Sequence, residues 1–318
     1  MFKKEKDPSL GCSIILPLYN EEESIYELHE RLHSVLQSTG LIYEIIYIDD
    51  GSTDRSAEMV EALYQKHGDI KFIQFRRNYG KSAALSAGFK AARGQYVITM
   101  DADLQDDPAE IPALIAKLEA GYDLVSGWKK VRRDPLSKRL ASRIYNFFTS
   151  VFSGIRLHDF NCGLKAYRHQ VIKSIDVYGE MHRYLPVMAF KDGFRVTEIP
   201  VRHHPRKYGK SKYGAARFLR GAFDLITITF LTRYKKRPLH LFGLIGALSV
   251  VLGCAVLIVL TIQRIFYQIY LSNRPILFLG VLMVIVGIQF ISIGLLGEMI
   301  TAQRQESDHY SVKRTLGI

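Results

Sequence analysis

The chain has 318 residues, of which 48% are hydrophobic and 23% are charged, and its formal net charge at pH 7 is +12. That length allows one large domain or two small ones with a buried core, and this composition excludes a disordered chain or a collagen-like fibre. The three cysteines, Cys12, Cys162 and Cys254, are widely spaced, which excludes a disulfide framework and a four-cysteine zinc site. The first eleven residues contain no apolar stretch, so we expect no cleaved secretory signal.

The charge is divided unevenly along the chain. Residues 200–318 contain 16 of the 43 basic residues but only 4 of the 31 acidic ones, so residues 1–199 are neutral overall. The whole basic excess therefore lies in the C-terminal part, which excludes an evenly charged soluble globule.

Short β-rich runs alternate with helical stretches from residue 12 to about residue 201, a pattern typical of an α/β domain. Runs such as residues 45–48 are apolar on both faces, which predicts a mainly parallel, Rossmann-like sheet between layers of helices. The predicted strands are Ser13–Pro17, Tyr43–Asp49, Lys71–Phe75, Tyr96–Asp101, Leu124–Ser126 and Val196–Val201. The predicted helices are Glu21–Thr39, Ser56–His67, Lys81–Arg93 and Pro108–Ala120.

Polar residues follow three of these strands at the point where each strand ends. They are Tyr19–Glu21 after the first strand, Asp49–Asp54 after the second and Asp101–Asp103 after the fourth. Ligands of open α/β sheets bind at the carboxyl ends of the strands, so we expect a binding crevice there.

Two common nucleotide-binding signatures are absent. No Gly-x-Gly-x-x-Gly follows the first strand, so a dinucleotide site is unsupported. The two Gly-Lys-Ser sequences at residues 80–82 and 209–211 lack the earlier glycine of a P-loop, because positions 75 and 204 are Phe and His.

Asp101 and Asp103 are two residues apart at the end of an apolar strand, a spacing that places both carboxylates on one side of an extended chain. Hard oxygen ligands suit Mg²⁺ or Mn²⁺, and Gln105 could add a carbonyl oxygen. An acidic pair in a surface turn is the simpler alternative, but the preceding strand directs this pair into the predicted crevice.

Asp50, Ser52 and Asp54 carry groups that can accept hydrogen bonds from a nucleobase or a ribose. The same stretch also predicts a turn followed by a helix N-cap from Ser52, Thr53 or Asp54. The two roles are compatible.

Two long uncharged stretches occur near the C-terminus, Leu241–Ile262 and Ile276–Gly297. Each is about 33 Å long as a helix, enough to cross a hydrocarbon core of about 30 Å. A buried helix of a soluble domain is the alternative, although such paired runs are rare in soluble domains.

The stretches Leu136–Phe152 and Tyr213–Leu231 mix basic with large apolar residues, as helices in the headgroup region do, although packing on a soluble core would explain the former equally well. Residues 202–237 contain eleven basic residues, whereas the connector 263–275 contains two. The positive-inside rule therefore places both termini in the cytoplasm. Basic residues beside the apolar stretches favour a lipid surface over nucleic acid.

Six motifs occur in order along the chain: Pro17-x-Tyr-Asn-Glu21, Asp49-Asp-Gly-Ser-x-Asp54, Arg77-Asn-x-Gly-Lys81, Asp101-x-Asp103-Leu-Gln-Asp106, Asn161-Cys-Gly163 and Arg206-x-x-Gly-Lys-Ser-Lys212. With these motifs the chain resembles glycosyltransferase family two with the GT-A fold, and specifically its polyprenyl-phosphate branch of dolichol-phosphate mannose synthases and bactoprenol glucosyltransferases. The resemblance runs from about Cys12 to Tyr213, and the two apolar stretches match the bactoprenol branch. The Gln-x-x-Arg-Trp signature of processive polysaccharide synthases is absent.

The resemblance implies inverting transfer of a hexose from a nucleotide sugar, with UDP-glucose favoured, to polyprenyl (undecaprenyl) phosphate. Asp101, Asp103 and Gln105 would hold Mg²⁺ or Mn²⁺. The implied catalytic residues are Asp103, Arg206 and Asp159, the last in the position of the family's acidic base. The implied nucleotide-sugar contacts are Pro17, Tyr19, Glu21, Asp50, Ser52, Lys81 and Asp101.

The lipid phosphate is an anion that enters a site already holding a diphosphate, so clustered cations are required. The candidates are Arg132, Arg133, Lys210 and Lys212, with Ser211 as a neutral donor. Attraction to anionic lipid is the alternative role of these basic residues.

We expect four segments: a GT-A catalytic domain at residues 1–205, a basic juxtamembrane amphipathic segment at 206–238, a transmembrane hairpin at 239–300 and a cytoplasmic tail at 301–318. The expected location is the inner (cytoplasmic) membrane, with the catalytic domain in the cytoplasm. The expected partners are the nucleotide sugar, the lipid phosphate and the membrane, not nucleic acid, and self-association is plausible for a two-helix anchor.

Two alternatives stay open. The enzyme could act on another membrane acceptor, a saccharide or diacylglycerol, or the chain could be a non-catalytic scaffold with a degenerate transferase domain. The joint presence of Asp50, Asp101 and Asp103 argues against a scaffold.

Overall fold

The computed structural model describes residues 10–130, 142–143, 146–147, 149–151, 153–177, 179, 181–205, 207, 238–268, 270, 274–303 and 312–316. The chain forms two compact units. The first contains residues 1–225 and 308–318, and the second contains residues 226–307.

The first unit is built on one sheet of eight strands in the order β7-β5-β6-β4-β1-β2-β3-β8. The strands are β1 (Cys12–Leu18), β2 (Tyr43–Asp49), β3 (Ile70–Phe75), β4 (Tyr96–Thr99), β5 (Leu124–Trp128), β6 (Lys165–Arg168), β7 (Val196–Pro200) and β8 (Val312–Leu316). The helices are α1 (Ile25–Ser38), α2 (Ser56–Lys66), α3 (Lys81–Ala91), α4 (Ile111–Glu119), α5 (His169–Ser174) and α6 (Leu185–Lys191).

The pairings β1–β2, β1–β4, β2–β3 and β5–β7 are parallel, whereas β6 runs antiparallel to β4 and β5, and β8 runs antiparallel to β3. The predicted mixed α/β, Rossmann-like fold is confirmed. All six predicted strands are present, with ends shifted by at most two residues. The sequence pattern predicts neither β6 nor β8, because both are short and carry basic side chains.

The core forms because the central strands are apolar on both faces and each packed helix has one apolar face. Ile45, Ile46 and Ile48 of β2 are fully buried. Helix α1 buries Ile25, Leu28, Leu32 and Leu36, whose spacing of three and four residues places them on one face. The helix begins four residues later than predicted, after a turn in which Asn20 has a φ of 54°. The sheet therefore lies between helices, with its strand ends free to carry the site.

The stretch Leu136–Phe152 is partly described, and its described residues from 142 onward are helical. Its polar residues Asn146 and Thr149 are buried, whereas Phe147 and Val151, one helical turn apart, are 65% and 61% exposed. Solvent-facing apolar pairs with a buried polar face are unusual in a soluble domain. The whole of the stretch Tyr213–Leu231 lies outside the described residues.

The second unit contains two long helices, α7 (Pro238–Tyr267) and α8 (Pro275–Gln303). Both predicted apolar stretches lie inside them, and both helices are long and apolar enough to cross a membrane. Large apolar side chains such as Leu248, Val251 and Phe278 are mostly exposed, which a core helix of a soluble protein would not allow. The helices therefore indicate membrane association.

The two long helices run antiparallel and approach each other through glycines. A Cβ on Gly246 would lie 2.5 Å from the Gly287 carbonyl oxygen, and a Cβ on Gly253 would lie 2.8 Å from that of Gly280. Small residues allow backbones of membrane helices to pack closely. The Ser249 hydroxyl adds a hydrogen bond of 2.8 Å to the Met283 carbonyl.

We expect Gly246→Ala to destabilise this hairpin by about 1–3 kcal/mol, because the new methyl group overlaps a backbone atom that cannot rotate away. The measurement is the thermal unfolding midpoint in detergent. Gly243→Ala is the matched control on the same helix, since its Cβ would meet only the Leu239 side chain, at 3.2 Å from Cδ1 and 3.5 Å from Cγ, and no backbone atom. Equal midpoints for the two variants would contradict the glycine contact.

Candidate active site

The acidic pair lies where β4 ends, at the carboxyl edge of the sheet. Asp101 follows the strand by two residues, and its Oδ1 forms an ion pair with Lys81 Nζ at the start of α3. Asp103 Oδ1 accepts a hydrogen bond of 3.2 Å from the Gln105 amide, across a turn in which Leu104 has a φ of 59°. The structure therefore places all three predicted metal ligands within one short loop.

The Asp101 carboxylate is packed against Gly163. A Cβ at position 163 would lie 2.6 Å from Oδ2 and 2.9 Å from Oδ1 of Asp101. The Gly163 carbonyl in turn accepts a hydrogen bond of 3.0 Å from the buried Thr99 hydroxyl on β4. Only glycine leaves room for the carboxylate here, so the Asn161-Cys-Gly163 motif has a steric reason.

Residues 203–204 pack against the loop that contains Asp101, Asp103 and Gln105. The backbone amide of His204 donates a hydrogen bond of 2.8 Å to the backbone carbonyl of Gln105, and Asp106 pairs with His203 in an antiparallel β-bridge. The side-chain amide nitrogen of Gln105, Nε2, lies 3.4 Å from Nε2 of the His203 ring. These contacts hold the loop in place.

The donor set fits a hard divalent cation. Two carboxylates and one side-chain amide would supply oxygen ligands, and the ammonium of Lys81 lies against one of the carboxylates. Among the described residues, no group of three or more His, Cys, Asp or Glu side chains is placed to hold a metal ion. A partial protein ligand set suits Mg²⁺ or Mn²⁺, which retain waters and share coordination with phosphate oxygens.

Asp50 links the loop after β2 to the loop before α3. Its two carboxylate oxygens accept hydrogen bonds from the Tyr79 amide at 2.7 Å and the Gly80 amide at 2.9 Å. Burial raises the pKa of Asp50 to about 6, with a smaller contribution from the charge of Asp49, against the lowering effect of the two amides. A carboxylate has about four acceptor positions, so Asp50 retains capacity for a ligand.

Hydrogen bonds join the loop after β1 to the loop after β2. The Ser52 hydroxyl accepts a hydrogen bond of 2.9 Å from the Asn20 amide, and the Ser56 hydroxyl accepts one of 2.9 Å from the Glu21 amide. Asp54 Oδ1 accepts a bond of 3.0 Å from the backbone amide of Ser56, the first residue of α2. The N-cap position itself is occupied by Arg55, whose side chain makes no capping bond, so the predicted N-cap at Ser52, Thr53 or Asp54 is wrong. The predicted nucleotide contacts thus lie on interlocked loops.

A small cavity beside the acidic pair brings several of the predicted residues together. Pro17, Lys81 and Asp101 line it, with Asn161 and His182 from later in the chain. The structure places Tyr19 and Glu21 on the neighbouring loop after β1, both half-buried.

Asp159 is buried and held in place by its neighbours. Its Oδ1 accepts a hydrogen bond of 3.1 Å from the Asn161 amide. The preceding residue, His158, stacks on Trp128 with ring centroids 4.1 Å apart, and its Nδ1 is in hydrogen-bond contact with the Glu198 carboxylate. The backbone on both sides of Asp159 is therefore fixed.

Two largely buried lysines near the acidic pair are absent from the predicted site. Lys129 Nζ lies 3.4 Å from Asp106 Oδ1, and Lys165 Nζ donates to the Cys162 carbonyl. Burial by itself lowers the pKa of Lys129, but the summed charges of its acidic neighbours outweigh burial and raise that pKa, Asp106 contributing most and Cys162, Asp101 and Asp159 less. Burial lowers the pKa of Lys165. No spacing rule marks either residue, because Lys129 directly follows β5 and Lys165 begins β6, and a lysine at the end of a strand is ordinarily solvent-exposed.

The candidate acceptor residues Arg132, Arg133, Arg206, Lys210, Ser211 and Lys212 lie outside the described residues. The neighbouring Lys207 is described, and its Nζ lies 2.7 Å from Glu27 Oε2 on α1. Cys162 is buried, and burial raises the pKa of its thiol to about 12, which agrees with a packing role.

We expect Gly163→Ala to displace the Asp101 carboxylate and to lower the free energy of unfolding by about 1–3 kcal/mol, because the methyl group occupies the carboxylate position. Thermal unfolding measures the loss. Gly68→Ala is the control, since its Cβ would meet nothing within 4 Å. If Gly163→Ala were as stable as Gly68→Ala, the steric argument would be wrong.

Comparison with known proteins places this site in a family. The model of "Glycosyl transferase family 2" matches residues 13–176. The chain is 37% identical over 305 residues to the dodecaprenyl-phosphate galacturonate synthase of Rhizobium johnstonii, which covers 94% of this chain and 90% of that protein. The resemblance to the polyprenyl-phosphate branch is thus confirmed.

Solved structures show the same fold. Glucosyl-3-phosphoglycerate synthase from Mycobacterium tuberculosis, in complex with Mn²⁺, UDP and phosphoglyceric acid, matches with a TM-score of 0.54 and 19% identity over 70% of this chain and 78% of that chain. Its complex with Mn²⁺ and UDP-glucose matches with a TM-score of 0.53, 20% identity, and coverage of 70% and 79%. The chain belongs to glycosyl transferase family 2 and is a glycosyltransferase.

Proposed function

We propose that this enzyme transfers a hexose from a UDP-sugar to polyprenyl phosphate, with inversion, at the cytoplasmic face of the inner membrane. The observation that carries the proposal is the combination of an acidic strand edge with two apolar helices in one chain. A dodecaprenyl-phosphate galacturonate synthase is similar to this chain over nearly its whole length, both helices included.

On the donor side, Asp101, Asp103 and Gln105 would hold Mg²⁺ or Mn²⁺. The bound cation would neutralise charge on the departing diphosphate. The Mn²⁺ and UDP bound in glucosyl-3-phosphoglycerate synthase support this assignment. The remaining donor contacts in the proposal are Pro17, Tyr19, Glu21, Asp50, Ser52 and Lys81.

On the acceptor side, the proposal assigns the lipid phosphate to Arg132, Arg133, Arg206, Lys210, Ser211 and Lys212. A phosphate monoester has a second pKa near 6, so the nucleophile is largely ionised at neutral pH. Most acceptor phosphates therefore carry no proton for Asp159 to remove. The fixed, buried carboxylate of Asp159 would instead orient the acceptor.

The membrane-facing parts of the proposal follow the charge distribution. The segments remain residues 1–205, 206–238, 239–300 and 301–318, with both termini cytoplasmic by the positive-inside rule. The exposed pair Phe147 and Val151 supports contact of the catalytic domain with the lipid surface.

Two donor sugars are candidates, and each is supported by a different observation. The motifs resemble those of enzymes that use UDP-glucose, whereas the similar protein from Rhizobium is named for galacturonate. A panel of labelled UDP-sugars with undecaprenyl phosphate distinguishes them. A product released by mild acid identifies a lipid-linked sugar phosphate, whereas an acid-stable glycoside would identify a saccharide or diacylglycerol acceptor.

We expect Asp103→Asn to lower kcat/KM at least about 100-fold with Mg²⁺ or Mn²⁺ supplied, because it removes a ligand of the charge-neutralising cation. Asp159→Asn should lower it less than about 100-fold, because the nucleophile ionises without a general base. Incorporation of labelled sugar into lipid measures both. Full activity of Asp103→Asn would contradict the metal assignment, and complete loss in Asp159→Asn would show that Asp159 is an obligatory base.

The raised pKa of Asp50 predicts pH-dependent nucleotide binding. Below a pH of about 6 the carboxyl group is mostly protonated and loses its strength as an acceptor. We expect UDP affinity to fall about tenfold as the pH falls from about 8 to about 5, beyond the change due to the UDP phosphate.

Calorimetric titration of UDP measures this effect, and Asp50→Asn is the reference. The variant should bind UDP more weakly than wild type at high pH and equally at low pH. If the two proteins had parallel pH profiles, Asp50 would not be a nucleotide contact.

A further inference from the structure

The ion pair between Lys81 and Asp101 occupies the position at which the proposed function requires a metal ion. The side chains are 29% and 33% exposed, so both groups are accessible to a ligand. Lys81 is the first residue of α3, and Gly80 before it has a φ of 90°. The ammonium is thus a cation that the chain itself supplies to the acidic pair.

Asp101 is the fixed member of this pair. Its carboxylate packs against Gly163 on one side, and the Gly163 carbonyl accepts a hydrogen bond from the buried Thr99 hydroxyl. The Lys81 ammonium lies at the end of four methylene groups and can change position without moving the backbone. Exchange of the cation therefore requires only a side-chain motion.

The backbone next to Lys81 is tied to the proposed nucleotide contact. Asp50 accepts hydrogen bonds from the amides of Tyr79 and Gly80, the two residues that precede Lys81. A nucleotide bound at Asp50 would therefore be held next to the start of α3, where Lys81 lies.

We infer that Lys81 is a displaceable counter-ion. Its ammonium group neutralises Asp101 in the enzyme without ligands. When the metal ion binds to Asp101, the Lys81 side chain moves and its ammonium group pairs with the donor diphosphate instead. This inference rests on the proposed function. It means that the protein alone binds divalent metal weakly, and that metal and nucleotide bind together.

Charge balance is the physical reason. An ammonium in contact with Asp101 opposes a divalent cation at the same carboxylate, and the buried Lys129 and Lys165 add to that field. A diphosphate brings negative charge for both cations. Metal and nucleotide therefore raise each other's affinity by the same factor, as linkage requires.

The test is Mn²⁺ binding to the full-length protein in detergent, without nucleotide, followed by the electron paramagnetic resonance signal of free Mn²⁺. We expect Lys81→Met to bind Mn²⁺ about five- to tenfold more tightly than wild type, because a partly exposed like charge is removed. Lys81→Arg retains the charge and should bind as weakly as wild type. Lys90→Met, on the same helix, is the matched control and should leave Mn²⁺ affinity unchanged.

Calorimetry of UDP with and without Mn²⁺ separates the inference from the proposed function. If wild type binds UDP in a Mn²⁺-dependent way, but Lys81→Met binds Mn²⁺ alone no more tightly than Lys90→Met, the counter-ion role is wrong and the proposed function stands. If wild type shows no Mn²⁺-dependent UDP binding, the proposed donor site is wrong and the inference fails with it.

Discussion

The concentration of carboxylates at the carboxyl edge of the sheet is the constraint on which the site depends. Asp50, Asp101, Asp106 and Asp159 are half-buried or buried, and unpaired charges in such positions cost several kcal/mol. Backbone amides stabilise Asp50, and the ammonium groups of Lys81 and Lys129 neutralise Asp101 and Asp106. The loops adopt their conformations because these compensating groups must reach the edge.

Much of the fold follows from local pattern. Strands β1, β2 and β4 are predictable because they are apolar on both faces, and the two long helices because each uncharged run is long enough to cross a bilayer and such paired runs are rare in soluble domains. Strand β6 has the sequence Lys-Ala-Tyr-Arg, and only its pairing with β4 and β5 makes it a strand. Its existence depends on contacts between distant residues, which local sequence does not encode.

The site shows the same division. Asp101 and Asp103 are identifiable because they directly follow a buried strand. Lys129 and Lys165 are not, since a lysine at a strand end is ordinarily solvent-exposed, and their burial results from the folded arrangement of Asp106 and the Cys162 carbonyl. The turn before α2 is predictable because side chains such as that of Asp54 bind backbone amides two or three residues away, but the N-cap residue is Arg55, which the sequence pattern does not mark.

The C-terminal strand β8 has a consequence for biosynthesis. It pairs with β3, at the opposite edge of the sheet from β7, yet both long helices precede it in the chain. Because a ribosome delivers the chain from its N-terminus, β3 has no edge partner from this pairing until residues 312–316 emerge, after the whole hairpin has been made. Completion of the sheet is therefore delayed until the apolar helices have been released from the ribosome, and an unpaired β3 edge would invite pairing with other chains in the interval.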